Sequence, residues 1–340
     1  MADSALLSSD PYWIPHRIDL KRGRVEFLKL PPQAFSGASF LADYTPETAV
    51  DSATVSLDEL VAMQPETGQL HFIFHTAFCR STLLARTMNI NGVSVGMSEP
   101  GIIASLANAG EAGTRFIKPC LMLLARARIN ADAAVQAVFV KPTNHANRLI
   151  PTLMHALPEA KAVLISNSLP DFVKAVNRKG LPGRRWARNL YLEVQSYAPL
   201  DLGIDSRENF LLSDLQVAGL AWLLQRRWFE ANISGPSGAR IRSLDSDRFN
   251  ESRAESLRAI ARFTGLNITR AQTESAASSP IFRTHAKLGG NYAAIRRKGD
   301  LQSASGVFDE EMDMVGKWIK QIELQAGLGE VWRKAILPEI

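Results

Sequence analysis

At 340 residues, 46% hydrophobic and 21% charged, the chain is long enough for one large or two ordinary domains with a sizeable core, and a mainly disordered state is excluded. The formal net charge of +5, from 39 Lys and Arg against 34 Asp and Glu, suits an anionic ligand; no polybasic run with interleaved aromatics points to a nucleic-acid groove. The two cysteines, Cys79 and Cys120, exclude a disulfide framework and a cysteine metal cluster, the apolar runs are too short to span a bilayer, and the first ten residues lack a secretory pattern, so a cytoplasmic, reduced protein is expected.

Residues 17–30 alternate polar and apolar around Gly23 and predict a β-hairpin. A loop rich in Pro, Thr and Ser runs to about residue 56, and a short helix is expected over 57–63. Residues 1–65 therefore read as an N-terminal extension, not as an independent domain. From residue 66 the pattern turns to alternating β and α. Apolar runs at 70–75, 93–97, 135–141 and 162–166 predict buried strands. Helices are expected over 81–89, 102–108, 114–129, 147–155 and 169–179. After Gly180 the chain reads as mainly helical, with one long helix over 209–232, a last strand over 240–244, and helices over 251–264 and 307–325. Buried strands separated by helices imply a parallel sheet covered on both faces.

The most informative stretch is Leu70-His-Phe-Ile-Phe-His-Thr-Ala-Phe-Cys-Arg-Ser-Thr-Leu-Leu, in which an apolar strand runs into a short turn and then a helix. Free N–H groups at such a helix start sit at the positive end of the helix dipole and accept a phosphate or sulfate. Arg80 offers charge, and Ser81 and Thr82 offer hydroxyls. A Walker A loop needs G-x-x-x-x-G-K-[ST], and only Thr82 meets it. The fold expected is α/β: a three-layer P-loop-type domain over 66–340 with a central, mainly parallel sheet and a helical second half, and a small N-terminal β-hairpin extension over 1–65.

Residues 75–86, His75-Thr-Ala-Phe-Cys-Arg-Ser-Thr-Leu-Leu-Ala-Arg, resemble the start of bacterial sulfotransferase-like proteins, whose loop reads P-[KR]-S-G-T-T-x-L and binds the 5′-phosphosulfate of 3′-phosphoadenosine 5′-phosphosulfate (PAPS). Ser81 and Thr82 fall on the two threonines, Phe78 on the basic residue and Arg80 on the glycine. The resemblance implies a PAPS site including Thr76, Phe78, Cys79, Arg80, Ser81 and Thr82. Ser98-Glu99-Pro100 is similar to the Glu-Pro or Glu-Glu pair of many family members, which implies Glu99 as a candidate base; an N-capping or loop glutamate is the other reading. Residues 140–145, Val-Lys-Pro-Thr-Asn-His, are similar to the family's K-T-H segment and imply Lys141 on the sulfuryl oxygens and His145 as a second candidate base, two residues later than the family spacing. In the segment resembling R-[DN]-P-x-D-x-x-x-S, Asn167 and Ala175 fall on the two 3′-phosphate ligands. Arg297-Lys298-Gly299 is similar to an R-K-G triplet that touches that phosphate.

The function implied is sulfuryl transfer from PAPS to a hydroxyl or amine of an acceptor that the sequence does not name, with no metal. A P-loop phosphotransferase using ATP and Mg²⁺ and a non-catalytic binding protein are the alternatives. The partners expected are a small nucleotide and the acceptor, with no membrane and no nucleic acid. Trp186, Tyr191, Tyr197, Trp222 and Trp228 read as core or as an acceptor pocket. Oligomeric state is not legible.

Overall fold

The computed structural model describes residues 4–37, 40–126, 128–130, 133–283, 306–328 and 333–337. Helix α1 (Ser4–Ser9) leads into an antiparallel sheet of β1 (Trp13–Asp19), β2 (Arg24–Lys29) and β3 (Asp51–Ser56). The hairpin turns at Gly23, whose φ of 64° belongs to the left-handed region that glycine occupies freely. Strand β3 corrects the expectation of a loop up to residue 56. Val55 is its only buried side chain, so the segment carries almost no apolar alternation; its backbone pairing with β2, Val25 opposite Val55, holds it. Helix α2 (Leu57–Ala62) starts at a capping box in which Ser56 and Glu59 satisfy each other's backbone N–H groups.

The central sheet contains β4 (Gln69–His75), β5 (Ser94–Ser98), β8 (Ala137–Lys141), β9 (Ala162–Ser166) and β10 (Ile241–Asp245). Its order is β10-β9-β4-β8-β5, and every neighbouring pair is parallel. The fold is thus α/β, with a central five-stranded parallel sheet and a small antiparallel N-terminal sheet. Strand β4 lies in the middle. The chain leaves it toward β5 and β8 on one side, then returns to β9 and β10 on the other. That reversal opens a crevice beyond the C-terminal ends of the strands, the place where ligands bind in open α/β sheets.

Between these strands lie α3 (Ser81–Thr87), α4 (Gly101–Ala109), α5 (Ile117–Leu124), a short ribbon of β6 (Ile129–Asn130) and β7 (Ala133–Ala134), α6 (Ile150–Ala156) and α7 (Leu169–Arg178). The single helix expected over 114–129 is instead a 3₁₀ turn, Gly110–Phe116, followed by α5, which ends at Leu124, five residues before the β6–β7 ribbon begins at Ile129. The helical half holds α8 (Gly180–Tyr197), α9 (Ser206–Leu211) and α10 (Asp214–Ser234). The long helix expected over 209–232 is split, because Ser213 and Gln216 form a capping box that starts α10 afresh. After β10 come α11 (Ser246–Glu251), α12 (Arg253–Thr264), α13 (Arg270–Ala277) and α14 (Gly306–Gln325).

The N-terminal sheet packs into the same core as the central sheet. Trp13, Ile14, Phe27 and Leu28 join Phe72, Phe74, Leu121 and Leu164 in one apolar cluster. Buried Arg126 donates to the carbonyls of Leu7 and Asp10, and buried Arg128 donates to that of Pro11, tying the first residues down. Helix α3 lies so close to β5 that a Cβ at Gly96 would come within 1.8 Å of the Ala85 carbonyl oxygen. Among the described residues no helix is long and apolar enough to cross a membrane.

Candidate active site

Strand β4 runs into the loop from Thr76 to Arg80, which delivers the chain to α3. Ala77, Phe78 and Arg80 all have positive φ, at 72°, 54° and 60°. Each carries a side chain that disfavours this region by about 1–2 kcal/mol. Glu99, just past β5, is left-handed too, at 54°. Of the five non-glycine residues with positive φ among those described, four therefore stand at the C-terminal edge of the sheet. Strained backbone of this kind clusters at functional sites, which makes this edge the candidate one.

Helix α3 has no side-chain cap, and the N–H groups of Ser81, Thr82 and Leu83 have no acceptor among the described residues. Ser81 and Thr82 are buried. The first N–H groups of a helix have no partner within the helix, and an acceptor from outside the chain would satisfy these.

The loop is held in its strained shape from below. Thr76 donates its hydroxyl to Asn167 Oδ1 at 3.1 Å, and Asn167 Nδ2 reaches the Phe78 carbonyl at 3.5 Å. Asn167 is itself fixed by Trp222, whose Nε1 donates to its carbonyl at 2.9 Å. Asn147 Nδ2 donates to the His75 carbonyl at 2.9 Å, while its Oδ1 is buried and without a partner among the described residues. Cys79 is fully buried and donates to the Ile165 carbonyl at 3.4 Å; burial pushes its thiol up and keeps it protonated. Phe78 turns into an aromatic cluster with Phe172 and Trp186, and Lys179 Nζ stands 5.7 Å from its ring centre. Arg80 points to α11, donating to Ser246 Oγ at 3.0 Å and to Asp247 Oδ1 at 2.7 Å.

Lys141 ends β8 with no exposed surface, and its Nζ lies 2.6 Å from Glu99 Oε1. A lysine this buried needs a partner, since an unpaired ammonium would lose its hydration with nothing in return. The backbone reinforces the pair: the Glu99 N–H donates to the Lys141 carbonyl at 2.7 Å, and the Ala42 N–H donates to the Glu99 carbonyl at 2.9 Å. The Phe40 ring, from the N-terminal extension, lies 5.3 Å from Nζ on another side, a cation–π contact. His75 lies between this pair and the loop. Its Nδ1 accepts the Ala77 N–H at 3.1 Å, so its proton is on Nε2, which donates to the Pro142 carbonyl at 3.0 Å. Lys141 Nζ is 3.2 Å from the same Nε2.

His145 lies four residues beyond Lys141, in a 3₁₀ turn, Asn144–Leu149. Its Nδ1 hydrogen-bonds Glu193 of α8, and this bond raises its pKa above the usual value while partial burial opposes the rise. Glu99 adds to that rise through its charge. The structure thus brings Thr76, Phe78, Cys79, Arg80, Ser81, Thr82, Glu99, Lys141, His145 and Asn167 to one edge of the sheet. Arg297, Lys298 and Gly299 lie outside the described residues. Of the five aromatics, Tyr191 and Trp222 are buried core, Trp186 backs Phe78, and Tyr197 packs edge-on against Trp228. Sequence reasoning missed Glu193, Phe40, Asn147 and the bracing role of His75. A lone histidine at the end of an apolar strand was the one signal available, and only for His75.

No family model matches the sequence, and a search of curated proteins finds no match. Among solved structures, the sulfotransferase domain from the curacin biosynthetic pathway is similar over 78% of this chain and 99% of that one, with 10% identity and a TM-score of 0.40. The likeness is remote.

Proposed function

We propose that the chain is a sulfuryl transferase that takes PAPS as donor and a hydroxyl or amine as acceptor. The observation that carries this reading is the fully buried Lys141, paired with Glu99 beside a strained loop whose helix N–H groups are left open. The N–H groups of Ser81, Thr82 and Leu83, with the two hydroxyls, would hold the 5′-phosphosulfate. Lys141 supplies a positive charge from the neighbouring strand end, where a Walker loop would carry its lysine within the loop itself. Charge that develops on the bridging oxygen as the sulfuryl group leaves is stabilised by such a preorganised, water-excluded cation. Glu99 pairs with Lys141 and aims it.

On this reading Arg80 and Asn167 shape the loop, Arg80 through α11 and Asn167 through Thr76 and the Phe78 carbonyl. Ala175 is buried and apolar and offers nothing to a 3′-phosphate. By the resemblance, the triplet Arg297-Lys298-Gly299, outside the described residues, would take that group.

Calorimetry with 3′-phosphoadenosine 5′-phosphate, ADP and ATP tests the reading, followed by transfer of labelled sulfate from PAPS. Tight binding of the bisphosphate over ADP is expected. Magnesium-dependent ATP binding without bisphosphate binding would overturn it in favour of a phosphotransferase, and no nucleotide binding at millimolar concentration would leave a non-catalytic binding protein.

A further inference from the structure

The geometry points to a second functional pair at the same edge of the sheet: Glu193 of α8 is a positioning residue that holds His145 so that its outward nitrogen, Nε2, takes the proton from the acceptor. This rests on the sulfuryl-transfer reading and goes beyond it, since Glu193 belongs to none of the segments that carry the resemblance.

Three observations converge. First, Glu99 is already engaged: its Oε1 lies 2.6 Å from Lys141 Nζ, so it serves the lysine before it can serve an acceptor. Second, His145 is oriented as a base must be. A carboxylate only accepts, so Nδ1 carries the proton toward Glu193 and Nε2 presents its lone pair. Nε2 has no partner among the described residues, and the side chain is 42% exposed, so a substrate can reach it. Third, Asn144, the residue before His145, is buried and its Nδ2 has no partner among the described residues, so the same turn carries an amide donor that the fold leaves open.

In the step proposed, the acceptor oxygen attacks sulfur. The new O–S bond forms as the S–O bond to the 5′-phosphate breaks, and that electron pair leaves on the phosphate oxygen. The acceptor's proton moves to Nε2 of His145. The imidazolium so formed is balanced by Glu193 through Nδ1. No oxidant or further reactant is needed.

Among the described residues, Glu193 and Glu99 act on His145 through their charges, Lys141 pairs with Glu99, and Tyr197 on α8 interacts with both Glu193 and Arg148 of the 3₁₀ turn. Glu193 is the first of them in its effect on His145, and its hydrogen bond raises the imidazole above the usual value of 6.5.

The experiment compares the unaltered protein with Glu193→Gln and Glu193→Leu by two readouts. One is the pH profile of kcat/KM for PAPS-dependent transfer. The other is the NMR titration of the His145 ring, assigned with His145→Gln, which needs no activity. The Gln variant keeps an oxygen for Nδ1–H and removes the charge, so both the acid limb of the profile and the ring titration move to lower pH. The Leu variant removes the hydrogen bond as well and lowers kcat about 10²-fold at pH values above either limb, the scale expected of a misplaced catalytic group. A purely structural Glu193 would lower thermal stability and move the ring titration while leaving the acid limb of kcat/KM in place, and that result overturns the proposal. If the unaltered protein neither binds nor uses PAPS while the ring titration still responds to Glu193→Gln, the donor reading falls and the pair stands. If transfer proceeds and the acid limb does not move, the pair falls and the donor reading stands.

Discussion

Replacing Lys141 by methionine separates stability from catalysis. The side-chain volume is kept and the charge is removed. Glu99 then faces a site with 18% of its side chain exposed and no ammonium at 2.6 Å. Breaking a buried pair by removing one partner costs about 3–5 kcal/mol, and the partial exposure of Glu99 puts this case at the lower end, about 3 kcal/mol. The double variant Lys141→Met/Glu99→Gln leaves no orphaned charge, and replacing a buried ion pair by uncharged groups of similar volume is often neutral. It should therefore recover most of the loss. Turnover behaves differently. Removing one preorganised stabiliser of the leaving oxygen costs about 10²–10³ in kcat, or about 2.7–4 kcal/mol. The double variant should stay as inactive as the single one. Urea denaturation gives the stabilities, and PAPS-dependent transfer gives the rates. Turnover within about threefold of the unaltered protein in Lys141→Met would refute the role given to this lysine. A double variant no more stable than the single one would refute the pairing.

Three further outcomes are expected. Ala77→Gly should be neutral or stabilise the protein by up to about 1 kcal/mol in urea, because φ of 72° suits glycine; a loss above about 0.5 kcal/mol, the usual penalty for this substitution, would contradict a strained loop. Thr76→Val leaves Asn167 Oδ1 unsatisfied and should destabilise by about 1–3 kcal/mol while weakening the bisphosphate in calorimetry; unchanged affinity would dissociate this bond from the loop's shape. His71 is buried between Gln69 and the Lys161 N–H, and burial pulls its pKa down to about 4, so the folded protein favours the neutral ring. The stability it confers is fully present above pH 6.5 and is lost as pH falls toward 4, by about 3 kcal/mol in all. His71→Gln should flatten that part of the stability–pH curve, and an unchanged curve would assign the acid sensitivity to other groups.

The parallel strands were legible because a strand buried on both faces must be apolar throughout. Strand β9 begins and ends where the run Ala162–Ser166 does, and α7 follows its Ser168 cap. Strand β3 was not legible, because pairing with β2 and one buried valine define it. The break between α9 and α10 was written in Ser213 and Gln216, but an unbroken apolar spacing on either side outweighed that local signal.

At the site, Lys141 stood out for a physical reason: an ammonium at the end of a buried strand demands an acid. Which acid it finds depends on β5 lying beside β8, a fact of sheet order that no local window contains. The same holds for Glu193, which meets His145 only because α8 folds back over the 3₁₀ turn 48 residues earlier. The loop misleads a sequence reader most. A phosphate loop announces itself through glycines, which adopt positive φ without strain. Here alanine, phenylalanine and arginine take those angles, and the conformation is imposed from outside by Asn167, Asn147 and the Asp247 anchor of Arg80. Where surrounding hydrogen bonds replace glycine as the source of a backbone shape, the shape leaves no local signature, and a motif search finds only the hydroxyls at its end.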